Sequence, residues 1–297
     1  AQLRFTAEQI SLFVIAFGAG GHHLPGMMRA YGDRALFRQF KTRFIVAPIF
    51  LVVFCVAFAQ WDLNGLFVLL LGWRFWHGLM RVYGFVPLYA GKLTARLDWL
   101  MCVAWFTLGL VLSPSRMGDV LENFYKAGGP FIAPSAVNAL QQTWIAVTGG
   151  VTAAFLANYV WQQYRGRPAN PIKLLILTTS FAFWWYSQVH IANILLGIAL
   201  FEIFHDVQYL RIVWIFNRKR ADADPGAGAF TRFLFRPSMA MMLVYVALCF
   251  LYGGAFLLGN VVDVKTSRTA LFGFGTASTF LHFYYDGFIW KVREKST

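Results

Sequence analysis

The residues of this chain best suited to chemistry are its six histidines: His22, His23, His77, His190, His205 and His282. None lies in a basic loop. His205 has the richest company, in LLGIALFEIFHDVQYLRIVW (195–214), where Glu202, His205, Asp206, Gln208 and Tyr209 fall within about two helical turns of an apolar stretch. An ionisable group in hydrocarbon costs on the order of 2.5–3.5 kcal/mol, so each of these needs a reason to be there. Glu202 and His205 stand three apart and Tyr209 follows four later, which puts all three on one helical face. Glu-x-x-His is the spacing by which inward-facing helices grip metal in carboxylate bundles. A buried Glu–His hydrogen bond that fixes helix packing uses the same spacing.

The other histidines also keep polar or glycine-rich company. His22 and His23 follow GAGG (18–21) and precede Pro25, a backbone that can approach neighbours closely or break a helix. His77 sits in WRFWHG, three residues after Arg74, and His282 is followed four later by Asp286 in HFYYD. Asp286 is placed to ligate a metal or to orient the imidazole. Imidazole and carboxylate together suit iron, zinc, copper or manganese. Few thiols are present, which argues against a structural zinc, and haem held axially by two histidines is the alternative cofactor. A proton relay or a polar packing network would draw on the same residue types.

The elements that position these residues are apolar helices. Of the 297 residues 58% are hydrophobic and only 13% charged, against roughly 25% in a soluble domain. The expected fold class is all-α: one polytopic membrane bundle spanning 1–297, with the lipid bilayer as its first partner. Windows of roughly 20 apolar residues fall near 8–29, 44–61, 64–86, 98–113, 141–161, 172–189, 190–216, 238–258 and 268–290, about nine spans. The first lacks a basic n-region and a clear cleavage site, so it does not read as a signal peptide. Cys55, Cys102 and Cys249 all lie in apolar stretches and imply no disulfide framework.

The net charge of +13 would suggest nucleic acid until the charges are located. They cluster beside the spans: Arg29 to Arg43, Arg81 with Lys92 and Arg96, Arg165 to Lys173, Arg218 to Arg236, and Lys291, Arg293 and Lys295. Their alternation predicts an external N-terminus and a cytoplasmic C-terminus. The segment 114–140 is too polar to span and reads as an external loop or interfacial hairpin, and 217–236 as a cytoplasmic loop. Counted inward from the external ends of their spans, His22, His77, His205 and His282 lie about 13–15 residues in, a common depth of about 20 Å. Four spans running in the same direction would therefore bring them to one level.

These stretches are similar to those of the bacterial and archaeal membrane β-carotene dioxygenases, the bacterioopsin-related proteins. The matching segments are GGHHLPG at His22 and His23, WHGLMRVYG at His77, the helix with His190 and His205, and LHFYYDGFIW at His282 and Asp286. The resemblance covers most of the chain through short motifs, and implies non-haem iron, O₂ and a carotenoid substrate. The family's late helix carries two histidines four apart. Here His190 and His205 are fifteen apart, with Glu202 and Asp206 added, which opens a two-metal site with carboxylates. The HxxxH and HxxHH boxes of membrane desaturases are absent.

The expected function is a membrane-embedded oxidoreductase, in a bacterium of the inner membrane, using O₂ and one or two non-haem irons on a carotenoid or lipid. His22, His23, His77, Glu202, His205, His282 and Asp286 are the candidate metal residues, and Tyr209 and Tyr285 the candidate proton or electron donors. The alternative is a non-catalytic subunit of a larger membrane complex, binding haem, pigment or quinone or serving as scaffold. A proton-coupled transporter is a third reading. Nothing resembles a nucleotide-binding loop, a nucleophilic triad or a nucleic-acid module.

Overall fold

The computed structural model describes residues 4–61, 63, 65–90, 95–167, 170–223, 227–260 and 262–289, and all regular structure among them is helical. Lys92, Lys291, Arg293 and Lys295, counted above among the basic flanks, lie outside the described residues, as do 224–226 of the 217–236 segment. In chain order the helices are α1 (Ala7–Val14), a π segment (Ile15–Gly20), α2 (His23–Gly32), α3 (Arg34–Gln39), α4 (Lys41–Gln60) and α5 (Gly65–Ala90). There follow α6 (Ala95–Val111), α7 (Pro114–Lys126), α8 (Pro134–Tyr164), α9 (Pro171–Trp185) and a second π segment (Tyr186–His190). The chain continues with α10 (Ile194–Ala223), α11 (Ala229–Leu234), α12 (Met239–Ala255), a 3₁₀ turn (Phe256–Asn260) and α13 (Lys265–Ile289).

Local signals explain several of the starts. The Asp33 carboxylate accepts from the Ala35 and Leu36 amides at 3.0 Å each and so caps α3, while Ser113 and Asn170 cap α7 and α9. Pro114, Pro134 and Pro171 occupy first-turn positions, where no intrahelical amide is required.

The chain divides into two compact units, Ala1–Leu66 with Glu202–Thr297, and Phe67–Phe201. In the first, α13 packs on α4 around Phe44, Leu281, Tyr285, Phe288 and Ile289. A Cβ on Gly273 would stand 2.7 Å from the Val56 Cα, so glycine sets the closeness of that crossing. In the second unit α6 packs against α8 and α9 around Leu79, Val86, Phe106, Phe181, Trp184 and Phe201. The indole N–H groups of Trp144 and Trp184 donate to the Ala104 and Phe106 carbonyls at 3.0 and 2.9 Å, so these large rings bury no unsatisfied donor.

The expectation of nine membrane spans is corrected. Among the described residues three helices are long and apolar enough to cross a bilayer: Lys41–Gln60, Pro134–Tyr164 and Met239–Leu258. A fourth is added if Arg96–Val111 and Pro114–Lys126, bent by 82°, are taken as one broken span. The physical reason lies in breaks and charges that a hydropathy window averages away. The first apolar stretch is divided among α1, the π segment and α2, and α2 has only 10 residues, about 15 Å of rise. The 172–189 stretch ends in the second π segment, and α10 carries Glu202, His205, Asp206 and Arg211. The orientation deduced from alternating loops loses its basis with that count.

Two segments read as connections are rich in helix. The segment 114–140 is helical over α7, resumes at α8, and is irregular or turned only between them. Within 217–236, α10 runs on to Ala223 and α11 spans Ala229–Leu234, so most of the described residues of that segment are helical. On α4, Ile45, Val46, Ile49, Phe50 and Val53 are exposed, an apolar face of the kind lipid covers.

Candidate metal centre

His22, His23, His205, Asp206, Tyr209, His282 and Asp286 all belong to the unit formed by Ala1–Leu66 and Glu202–Thr297. The site begins with the break in the first apolar stretch. Adjacent residues on an α-helix diverge and do not face one another. Between the π segment and α2 the chain turns at Gly21 and His22, and the rings of His22 and His23 come to 4.8 Å between centroids. π-helical turns recur at functional positions because they re-aim side chains in this way. The break is held by close packing from α12, where a Cβ on Gly253 would fall 1.5 Å from the Ala16 carbonyl oxygen and 2.6 Å from the Gly21 nitrogen.

His282 on α13 completes the first group. Its Nε2 lies 2.9 Å from His22 Nε2, and its ring stacks on His23 at 4.7 Å with 22° between planes. One ligand nitrogen from each of His22, His23 and His282 lies within 4.8 Å of the others, and all three residues are buried. The His23 Nδ1 meets the Ser278 hydroxyl at 3.1 Å, and Ser278 meets the Tyr252 hydroxyl at 2.8 Å. That chain fixes the orientation of the His23 ring through its Nδ1.

α10 supplies the second group. Asp206 Oδ1 stands 3.1 Å from His22 Nδ1, and Asp206 is fully buried. His22, His205 and Asp206 again bring one ligand atom each within 4.8 Å of one another. The Gly18 carbonyl also meets His22 Nδ1. A carbonyl oxygen only accepts, so in the neutral ring Nδ1 bears the proton and Nε2 the lone pair. This is how a carboxylate or carbonyl behind a histidine aims it at a metal. Gly18 is glycine for a steric reason, since a Cβ there would fall 2.0 Å from Asp206 Oδ2.

Around these groups, the Tyr209 hydroxyl donates to Asp286 Oδ1 at 3.0 Å, and its ring lies 5.5–5.7 Å from those of His22, His205 and His282. Asp286 Oδ2 is 3.5 Å from His282 Nε2. Glu202 is buried one turn before His205 on the same helix and belongs to neither group. Tyr285 is fully buried in the apolar cluster of α4 and α13, its hydroxyl paired with Tyr31 at 2.8 Å. His77 is buried on α5, in the other unit. Exposed His190 ends the second π segment.

The set thus gathers His22, His23, His205, His282, Asp286 and Tyr209 in one place. Ser278 was not among the expected site residues, and Asp206 was named as a carboxylate that opens a two-metal site but not as one of the candidate metal residues. Asp206 had a signal, because it stands four residues after Glu202 and shares its face. Ser278 stands four before His282, one turn away on α13. Nitrogen-rich groups with one carboxylate fit a divalent first-row transition ion. Comparison of the chain with protein-family models, with curated proteins and with solved structures yields no match.

Proposed function

We propose that this protein is a membrane-embedded, metal-dependent oxidoreductase, with non-haem iron held by His22, His23 and His282 and an apolar substrate such as a carotenoid or lipid. The observation that carries the reading is the buried convergence of three imidazoles, with the Gly18 carbonyl and Asp206 behind one of them. Iron in such a site activates O₂, a chemistry that the resemblance to carotenoid-cleaving membrane proteins also suggests. Haem fits less well, because His22 and His282 touch through their Nε2 atoms and leave no gap for a macrocycle between them.

The chain's own groups would do the rest. The His22 Nδ1 proton is held by acceptors that fix the ring. The Tyr209 hydroxyl, bound to Asp286, can hold or give a proton beside the imidazoles. The apolar helices would exclude water and admit a lipid-soluble substrate from the side. Membrane residence is supported by the three long apolar helices and the exposed apolar face of α4.

The test is metal content by mass spectrometry on detergent-purified, tag-free protein prepared without chelators, beside His282→Ala. Iron at one or two ions per chain, lost in the variant while the circular dichroism stays helical, supports the reading. A metal-free wild-type protein with intact fold overturns it.

A further inference from the structure

Resting on the metal-site reading above, we propose that His22 is a bridging ligand between two divalent transition ions. One ion would take His22 Nε2 with His23 and His282, and the other His22 Nδ1 with His205 and Asp206. The two groups share His22 and no other residue. They meet opposite edges of its ring: Nε2 is 2.9 Å from His282 Nε2, and Nδ1 is 3.1 Å from Asp206 Oδ1. Each group holds its ligand atoms within 4.8 Å, a span that one ion can draw together.

The second position has the chemistry of a cation site in its own right. Two imidazoles and a carboxylate form the set that takes iron, copper or zinc. Asp206 is 0% exposed and stands 3.1 Å from His22 Nδ1, so its carboxylate can share an ion with that nitrogen. The Gly18 carbonyl at the same nitrogen is a further oxygen donor, and the absent side chain at Gly18 leaves Asp206 its room. Filling both positions breaks the one N–H bond of His22 and forms a metal–nitrogen bond in its place. The proton leaves to solvent and the ring becomes an imidazolate. No electrons are transferred in this step.

Copper(II) is the probe, because two copper ions joined through one imidazolate couple their spins and a single ion keeps a full signal. Full-length, tag-free protein in detergent is stripped with chelator, loaded with copper(II) and desalted. Bound copper is then counted by mass spectrometry and its spins by electron paramagnetic resonance. The expected result is two ions per chain with a spin count well below two at low temperature. Asp206→Asn should then retain one ion with its full spin, as should His23→Ala.

One ion with full spin in the wild-type protein, kept in Asp206→Asn and lost in His23→Ala, overturns the bridge and leaves the mononuclear reading standing. Two ions with two full spins also overturn the bridge. No copper bound by folded wild-type protein overturns both readings. The wild-type counts require no substitution, so the proposal stays testable if a variant fails to fold.

Discussion

The chain contains two π-helical breaks, and they are put to different uses. At Ile15–Gly20 the break turns His22 and His23 inward, and the Gly18 carbonyl meets a histidine ring. At Tyr186–His190 the break and the chain leaving it are clasped by one buried arginine. Arg116 on α7 donates to Ser187, Ile191, Ala192 and Asn193 carbonyls and to the Gln188 side chain, at 2.9–3.4 Å. The Ser113 hydroxyl also donates to the Gln188 carbonyl, at 2.5 Å. An irregular helix is therefore no site by itself. What decides is whether its freed carbonyls face ligating side chains or a clasp that consumes them.

The comparison is broken most forcefully at the clasp. Arg116→Ala removes donors to four carbonyls, each costing about 1–3 kcal/mol when orphaned, and partial access of water should hold the total to roughly 3–5 kcal/mol. Thermal melting in detergent should show that loss, and Arg116→Lys should restore little of it because an ammonium lacks the planar fork. The metal content of whatever protein folds should match wild type. A stable Arg116→Ala protein that has lost its metal would show that the second break also serves the site.

The counterpart at the first break is Gly253→Ala. The new methyl would overlap the Ala16 carbonyl and the Gly21 amide, both backbone, so the π segment or α12 has to move. Overpacking of this kind costs about 3 kcal/mol. Here metal retention should fall together with the melting temperature, because His22 and His23 follow directly from that segment. Loss of stability with full metal binding would show that the rings are aimed by α10 and α13 alone.

How much of this was legible beforehand follows from the same contrast. The count along nine spans put His22, His77, His205 and His282 at one level; those spans do not stand, yet His22, His205 and His282 do meet within one unit, while His77 belongs to the other. The GAGG run pointed to a break before His22. Counting could not foresee that the break would cost the chain a full-length first span, because hydropathy windows register composition and not bends. The Arg116 clasp was invisible for a different reason. Its acceptors lie 71 to 77 residues away and nearly all are backbone carbonyls, which carry no residue signature. Tyr285 misled for a related reason. It lies one turn from His282, yet the side chain is drawn among Phe44 and Phe288 and its hydroxyl to Tyr31.

The smallest effect tests whether the first unit also contains a brace separate from the proposed metal site. Asp33 caps α3 and pairs with Arg220 near the end of α10. Burial alone would raise its pKa, but the Arg220 hydrogen bond and charge and the Leu36 amide outweigh that and hold the carboxyl below its ordinary value. A depressed pKa means that the stabilisation is complete above the unfolded value of about 3.9 and is lost as pH falls through the lower folded value. Asp33→Asn keeps a good N-cap and removes only the charge, so it should cost about 1–2 kcal/mol at neutral pH. The gap in melting temperature between wild type and variant should be flat above about pH 5 and close below about pH 4, as protonation removes the same charge from the wild type. A gap that persists unchanged into acid would show that the amide disturbs packing and that the ion pair contributes nothing. Metal content that falls in Asp33→Asn at unchanged melting temperature would instead make this pair part of the site, and the separation between brace and centre would fail inside the first unit.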